Sequence, residues 1–474
     1  MKLLSLILAL AAVQIAAGHT VFTTLFVNDV DQGDGTCVRM PSTPDNATFP
    51  INDLSSDAMA CGYDGTHGVA RVCPVDQSSK LSFLFREWAD GSQGGAIDSS
   101  HMGPCAVYMK SVASATTDTA VGDGWFKIWE ETYDATTSQW CTDKLIQNNG
   151  FLSVDIPSDL AGGAYLVRPE VLALHEANKN PPNPQMYTGC GQIFLKSTGT
   201  ARPKDTVSIP GYVNISNPSV LFDVWNPKFP YPDFGPSVYT GSSAASNTVK
   251  LNAALNTGSE MTQTEGLLPE NVILTNANWW GVELDSYTTQ DGCWNASKAC
   301  WAQGSTCYDS APPTGSKNCA IWEGKCNGID DACNANHFNG PPNKGLNLTP
   351  APSTYSIPAV SSVIQDKTPT TTDATSTTMT KYKSASSMPS PTASEDAGLS
   401  VSIDATCGGS TGLSCLGSGY GDCCSQNGWC GSSSDYCNDG CQKDFGVCNR
   451  SSGGGCMKKK RSGTLAGHIK RPRV

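Results

Sequence analysis

Between residues 19 and 241, apolar positions come in short runs and not in long amphipathic faces. Stretches such as "LSFLFREW" and "GWFKIWEE" alternate or cluster bulky β-formers, and Gly, Pro, Asn and Asp punctuate the gaps. That rhythm predicts a mainly β fold, a β-sandwich with long surface loops. One stretch departs from it: in "LVRPEVLALHEA", Pro169 to Ala177 is expected to form a helical turn or two.

A different period governs residues 242–345. Cys293, Cys300 and Cys307 are seven apart, as are Cys319, Cys326 and Cys333, with Pro312-Pro313 between the triplets. Seven residues is two helical turns, so each triplet lines one face of a helix. Folding the helices back on each other pairs Cys293 with Cys333, Cys300 with Cys326 and Cys307 with Cys319. The expectation is a disulfide-stapled helical hairpin. Zinc is the rival reading, disfavoured by the absence of close Cys pairs in the cluster.

Ser, Thr and Pro dominate residues 346–400, which predicts an extended, O-glycosylated linker. Eight Cys then crowd into Cys407 to Cys448, within residues 401–450, too short a span for a sizeable core, so disulfides must hold that fold. Residues 451–474 form a basic tail, read as a solvated end, and Cys456 within it is the odd cysteine.

The start of the chain sets the compartment. Lys2, the mostly apolar stretch Leu3 to Ala17 and Ala16-Ala17-Gly18 make a signal peptide over residues 1–18, cut before His19. No segment is long and apolar enough to suggest a membrane span. The chain has 21 Cys among 474 residues, which fits an oxidising, extracellular address. Asn-x-Ser/Thr acceptors at Asn46, Asn214, Asn295, Asn347 and Asn449 agree with it. A formal net charge of −12 argues against a nucleic-acid partner. A secreted monomer is expected.

Cleavage before His19 has a chemical consequence. It places an α-amine and an imidazole on one residue, two nitrogens able to chelate one metal ion. His101, in "GGAIDSSHMGPCAVYM", offers a third nitrogen beside a strand-like segment anchored at Cys105. Three nitrogens in a T with open positions suit copper better than zinc. Tyr187, in "PQMYTGCGQIFL", provides a distant axial hydroxyl. His67, His337 and His468 fall in no such constellation.

With these residues in view, the region from His19 to about Gly241 resembles the fungal cellulose-active, copper-dependent lytic polysaccharide monooxygenases. The likeness rests on "HTVFTTLFVNDV", "CGYDGTHGVARVCPV", "HMGPCAVYM", "WFKIWEETYD", "RPEVLALHEA" and "PQMYTGCGQIFL". The resemblance implies an immunoglobulin-like (fibronectin-III-like) β-sandwich with one copper on a flat face. It implies that His19 and His101 bind copper and that Tyr187 is the axial residue. It further implies that His175 and Gln185 manage the oxygen co-substrate, that Tyr231 of "YPDFGP" stacks on substrate, and that Cys61 pairs with Cys190. The activity implied is oxidative cleavage of cellulose at C1 or C4, using an external electron donor and dioxygen or hydrogen peroxide.

Residues 407–448, with Cys423-Cys424 and "SQNGWCGSSSDYC", resemble a hevein-type chitin-binding module. That resemblance implies that Ser425, Trp429 and Tyr436 contact N-acetylglucosamine, while Asn427 stands where hevein has an aromatic. Chitin or hemicellulose is therefore an alternative substrate, and a non-catalytic copper- or carbohydrate-binding wall protein an alternative role. A glycoside hydrolase would need two carboxylates across the cleaved bond, and no pair stands in a recognisable motif.

Overall fold

The computed structural model describes residues 19–241, 261–363 and, further on, 400–402, 406–409, 411–416, 423–426, 428–431, 434–437 and 440–448. Two units divide them, the first holding residues 19–363 and the second 400–448. The expected signal peptide, Asn427, Cys456 and the basic tail lie outside the described residues.

Alternation along the strands builds the first unit. Its main strands are β1 (Val21–Val27), β2 (Lys80–Arg86), β3 (Cys105–Ser111), β4 (Gly122–Glu131), β5 (Phe151–Asp155), β6 (Ala161–Ala173), β7 (Gln185–Thr188) and β8 (Cys190–Thr198). The smaller sheet has the order β5-β2-β1 and then the short Val30–Asp31 strand. The larger runs from Val207–Ile209 through β4-β3-β6-β8 to Val38–Arg39, with β7 also on β6 and Cys73–Asp76 parallel to β8.

Side chains of opposite parity face opposite sides of each strand. On β6, Tyr165, Val167, Val171 and Ala173 meet Phe22, Leu25, Phe83 and Leu152 in the core between the sheets. Ala164, Leu166 and Leu172 face a second core that packs under the long loops. This is the mainly β sandwich that the hydrophobic rhythm predicts.

Pro169 to Ala177 departs from the sequence expectation. Instead of starting a helix, Pro169 lies in β6 opposite Val107, and the strand continues to Ala173. Proline is tolerated because its neighbour changes there: β6 leaves β8 after Val167 and joins β7 from Glu170. The Thr188 hydroxyl donates to the Pro169 carbonyl at 2.9 Å.

The extension packs on this sandwich. After the hairpin of β9 (Val272–Asn276) and β10 (Trp279–Val282) come two helices. With α1 given to the short helix Cys141–Gln147, they are α2 (Gln290–Asp309) and α3 (Lys317–Asn334). Thr289 caps α2 by accepting from Gly292 N. Cys293–Cys333, Cys300–Cys326 and Cys307–Cys319 form the nested cross-links, leaving no thiolate for zinc. Trp322 fills the interior and donates to Cys300 O at 2.9 Å. Gly281 lets it in: a Cβ there would lie 2.4 Å from the indole. Asn278 fastens the extension to the sandwich, accepting from Cys37 N at 2.9 Å and donating to Gly35 O at 2.8 Å.

Residues 346–363, grouped by composition with the linker, also lie in the first unit. Tyr355 meets Phe26 and Phe151 edge-on, Ile357 packs against the cluster of Phe26, Leu84 and Phe151, and Trp129 Nε1 donates to Ser361 O at 2.9 Å.

In the second unit, Cys407–Cys424, Cys415–Cys430, Cys423–Cys437 and Cys441–Cys448 surround a core made largely of the cystines themselves. Among the described residues, no helix is long and apolar enough to cross a membrane.

Candidate active site

Four chain segments meet at one end of the sandwich. His19 precedes β1, and Thr20 anchors that start by donating to Ala96 O at 2.5 Å. His101 lies just before β3 on a tightly held loop. Its own N–H donates to Asp98 O at 3.0 Å, Gly103 N donates to Thr142 Oγ1 at 3.0 Å, and Leu174 N donates to Met102 O at 2.9 Å. Cys105–Cys141 then ties the foot of β3 to α1. His175 follows the end of β6. Gln185 and Tyr187 project from the same side of β7, two residues apart. Cys61–Cys190 closes the region behind β7.

The rings of His19 and His101 stand 5.8 Å apart at 81°, and Tyr187 is 6.0 Å from each. His175 lies against His101 at 4.1 Å, and the Tyr187 hydroxyl donates to Gln185 Oε1 at 2.6 Å. The five residues singled out from sequence are thus together. Burial, reinforced by neighbouring His175 and His19, pushes His101 down to about 4. Burial also lowers His19 and His175 and raises the Tyr187 phenol. Near neutral pH the imidazoles carry lone pairs and the tyrosine keeps its proton.

Two atoms in this cluster have no protein partner: His101 Nε2 and His175 Nδ1, both buried. A buried polar atom without a partner is costly unless a ligand or water satisfies it. A neutral, partnerless nitrogen on His101, in a cluster with a second imidazole and a protonated phenol, fits a copper ion better than a carboxylate-seeking metal.

Tyr231 requires a correction. Expected to stack on substrate, it is buried, donates to Ser219 O at 2.9 Å and meets Trp140 and Phe222 edge-on. Its ring supports the loop from below. The exposed aromatics near the histidines are others. Phe49, 54% exposed, stands 6.1 Å from His19, and Trp225, 58% exposed, donates through Nε1 to His175 O at 2.9 Å. Sequence reasoning passed over both. The available signal at Trp225 was a bulky aromatic in "FDVWNP", a segment without strand alternation.

In the second unit, Ser425 and Trp429 are joined. Trp429 N donates to Ser425 Oγ at 3.2 Å and Ser425 N donates to Trp429 O at 2.9 Å. Trp429 is 51% exposed and Tyr436 half-buried against Gly431, where a Cβ would lie 2.4 Å from its ring.

The fold and these residues define a β-sandwich enzyme whose histidine site opens beside exposed aromatics. Residues 19–232 match the profile of AA9, Auxiliary Activity family 9 (formerly GH61). AA9 family lytic polysaccharide monooxygenase H of Botryotinia fuckeliana (strain B05.10) is 57% identical over 437 residues, 92% of this chain and 96% of the relative. AA9 family lytic polysaccharide monooxygenase C of Aspergillus tamarii is 52% identical over 342 residues, 71% of this chain and 91% of the relative. The solved structure of CvAA9A aligns with 35% identity and a TM-score of 0.43 over 47% of this chain and 98% of its own. The chain belongs to the AA9 family of lytic polysaccharide monooxygenases, copper-dependent enzymes that cleave polysaccharides oxidatively.

Proposed function

We propose that this enzyme is secreted and oxidises cellulose, and that the α-amine and imidazole of His19 together with His101 would hold one copper ion, with the Tyr187 hydroxyl group beside it. The observation that carries the reading is the buried, partnerless Nε2 of His101 beside His19 and Tyr187. Removal of residues 1–18 frees the amine.

Bound there, copper supplies the one-electron chemistry by which a reductant and dioxygen or hydrogen peroxide oxidise C1 or C4 next to a β-1,4 bond. The protein does the rest. Tyr187, fixed by its bond to Gln185, keeps its proton and fills one side of the site. His175, its ring 4.1 Å from that of His101 and its carbonyl tied to Trp225, holds an imidazole where a proton can be exchanged with the co-substrate. Phe49 and Trp225 offer rings for pyranose faces.

The second unit, by its hevein-like sequence and the exposed Trp429 beside Ser425, anchors the enzyme on chitin, with Tyr436 completing the contact. Substrate choice belongs to the catalytic face, so the anchor does not make chitin the substrate. The domain limits proposed from sequence are 19–241 for catalysis, 242–345 for the extension, 346–400 for the linker and 401–450 for the anchor.

One panel tests the reading. Copper-loaded enzyme with ascorbate is incubated with amorphous cellulose, xyloglucan and chitin, and products are analysed by mass spectrometry. Aldonic acids or C4-oxidised ends from cellulose are expected. Oxidised products from chitin alone would reverse the substrate assignment, hydrolytic products without reductant would favour a hydrolase, and no products would favour a binding protein. Failure of the full chain to partition onto chitin would remove the anchor.

A further inference from the structure

Each cysteine of α2 is followed by an aromatic residue: Trp294, Trp301 and Tyr308. All three rings are exposed, at 40%, 37% and 44%. A heptad drifts by only about 20° around a helix, so the three share one face, and seven residues at a rise of about 1.5 Å set them about 10.5 Å apart. Three large aromatics in one solvent-facing row are unusual on a soluble surface and mark a contact.

Two of the rings are already positioned. Trp301 Nε1 donates to Asp330 Oδ2 at 3.0 Å, and the Tyr308 hydroxyl donates to Glu323 Oε2 at 2.9 Å. Both acceptors belong to α3 and are themselves seven apart, so these rings reach toward the α2–α3 seam by their polar ends. Asp330 is held in turn by the Ser297 hydroxyl. Because the three disulfides lock the helices beneath, the spacing is set before any ligand arrives, which reduces the ordering cost of binding.

We propose that this row is a second polysaccharide-binding surface, a platform for a β-1,4-glucan chain at the surface of cellulose. The disaccharide repeat of such a chain is about 10 Å, so rings placed every two helical turns meet equivalent sugar faces along it. The C–H-lined faces of the sugars pack on the rings. Glu323 and Asp330 beside the row disfavour anionic polymers and suit an uncharged, hydroxyl-rich one. Choosing cellulose over chitin, which shares the repeat, rests on the proposed cellulose activity. Asn295, in an Asn-Ala-Ser acceptor, stands about 100° around the helix from Trp294, so a glycan there flanks the row.

The test is a set of binding isotherms of the full chain on microcrystalline cellulose without reductant. W294A/W301A/Y308A is expected to lose at least tenfold in partition constant. W301A/K298W keeps three aromatics on the helix but breaks their spacing, and is expected to lose several-fold. W294Y should stay within twofold of the wild type. Thermal unfolding and a non-reducing peptide map establish that the variants fold, and oxidation of soluble cello-oligosaccharides should be unchanged in all of them. Equal partition of the folded triple variant and the wild type overturns the platform, and a loss seen on chitin but not on cellulose overturns the choice of polymer. Row-dependent cellulose binding by an enzyme that releases no oxidised product would leave the platform standing and remove the catalytic reading.

Discussion

Gln185 shows how much of the site depends on residues beside the proposed ligands. Its Oε1 is the acceptor for the Tyr187 hydroxyl, and both groups are buried. In Gln185→Leu that hydroxyl loses its acceptor, a cost of about 1–3 kcal/mol. Residues that orient metal ligands typically change activity about 10- to 100-fold when replaced. Gln185→Leu should therefore still bind copper but release oxidised products about 10- to 100-fold more slowly, with an altered Cu(II) electron paramagnetic resonance spectrum. An unchanged rate and spectrum would remove Gln185 from the mechanism. Gly103 acts through backbone alone, since a Cβ there would lie 1.8 Å from Leu172 O, where β6 passes the His101 loop. Gly103→Ala must push that loop off the strand, at a cost of about 2 kcal/mol or more. The expected result is a lower melting temperature together with copper affinity weakened at least tenfold in titration calorimetry.

At the scale of elements, the extension is a separately stapled piece. Removing the middle cross-link with C300A/C326A is expected to cost about 2–4 kcal/mol. Backbone amides of α2 and α3 should then exchange with solvent about 30-fold faster or more, while those of β1 to β8 keep their protection. Equal loosening of the sandwich would mean that the hairpin is part of its cooperative unit. This element was legible in sequence down to its pairings because a seven-residue cysteine period and the geometry of a helix permit little else. β6 was not. It lies inside the larger sheet with both faces buried, so alternation between polar and apolar positions is erased, and Pro169 reads as a helix start. The site divides along the same line. His19, His101 and Tyr187 were legible from the chemistry of their side chains, His175 and Gln185 only through the family resemblance, and the structure brings the five together. The burial of Tyr231 and the exposure of Trp225 depend on how one loop closes over Trp140 and Phe222, which no local pattern records.

For the whole molecule, composition and packing disagree about where the catalytic unit ends. Ser, Thr and Pro from residue 346 onward read as linker, yet Tyr355 and Ile357 cover Phe26 and Phe151 on the outer side of the smaller sheet. Arg86 Nη2 reaches the Tyr355 hydroxyl at 3.2 Å, and Ser361 O accepts from Trp129. The segment succeeds without a core of its own because two apolar side chains suffice to cover rings the sheet already presents. The sandwich unit therefore takes in residues 346–363, and the linker proposed from composition is shorter by that much. Cutting the chain after Val363 should leave the melting temperature of the catalytic unit unchanged. Cutting it after Gly345 uncovers Phe26 and Phe151, with a loss of about 2 kcal/mol from the apolar area returned to water. Calorimetry should register that as a fall of about 4 °C. Tyr355→Ala in the longer chain should reproduce part of the fall, because it removes the ring while leaving the Trp129–Ser361 bond in place. Identical melting of the two truncated chains would show that the segment rests on the sandwich without stabilising it, and the linker would then begin at residue 346 as composition suggests.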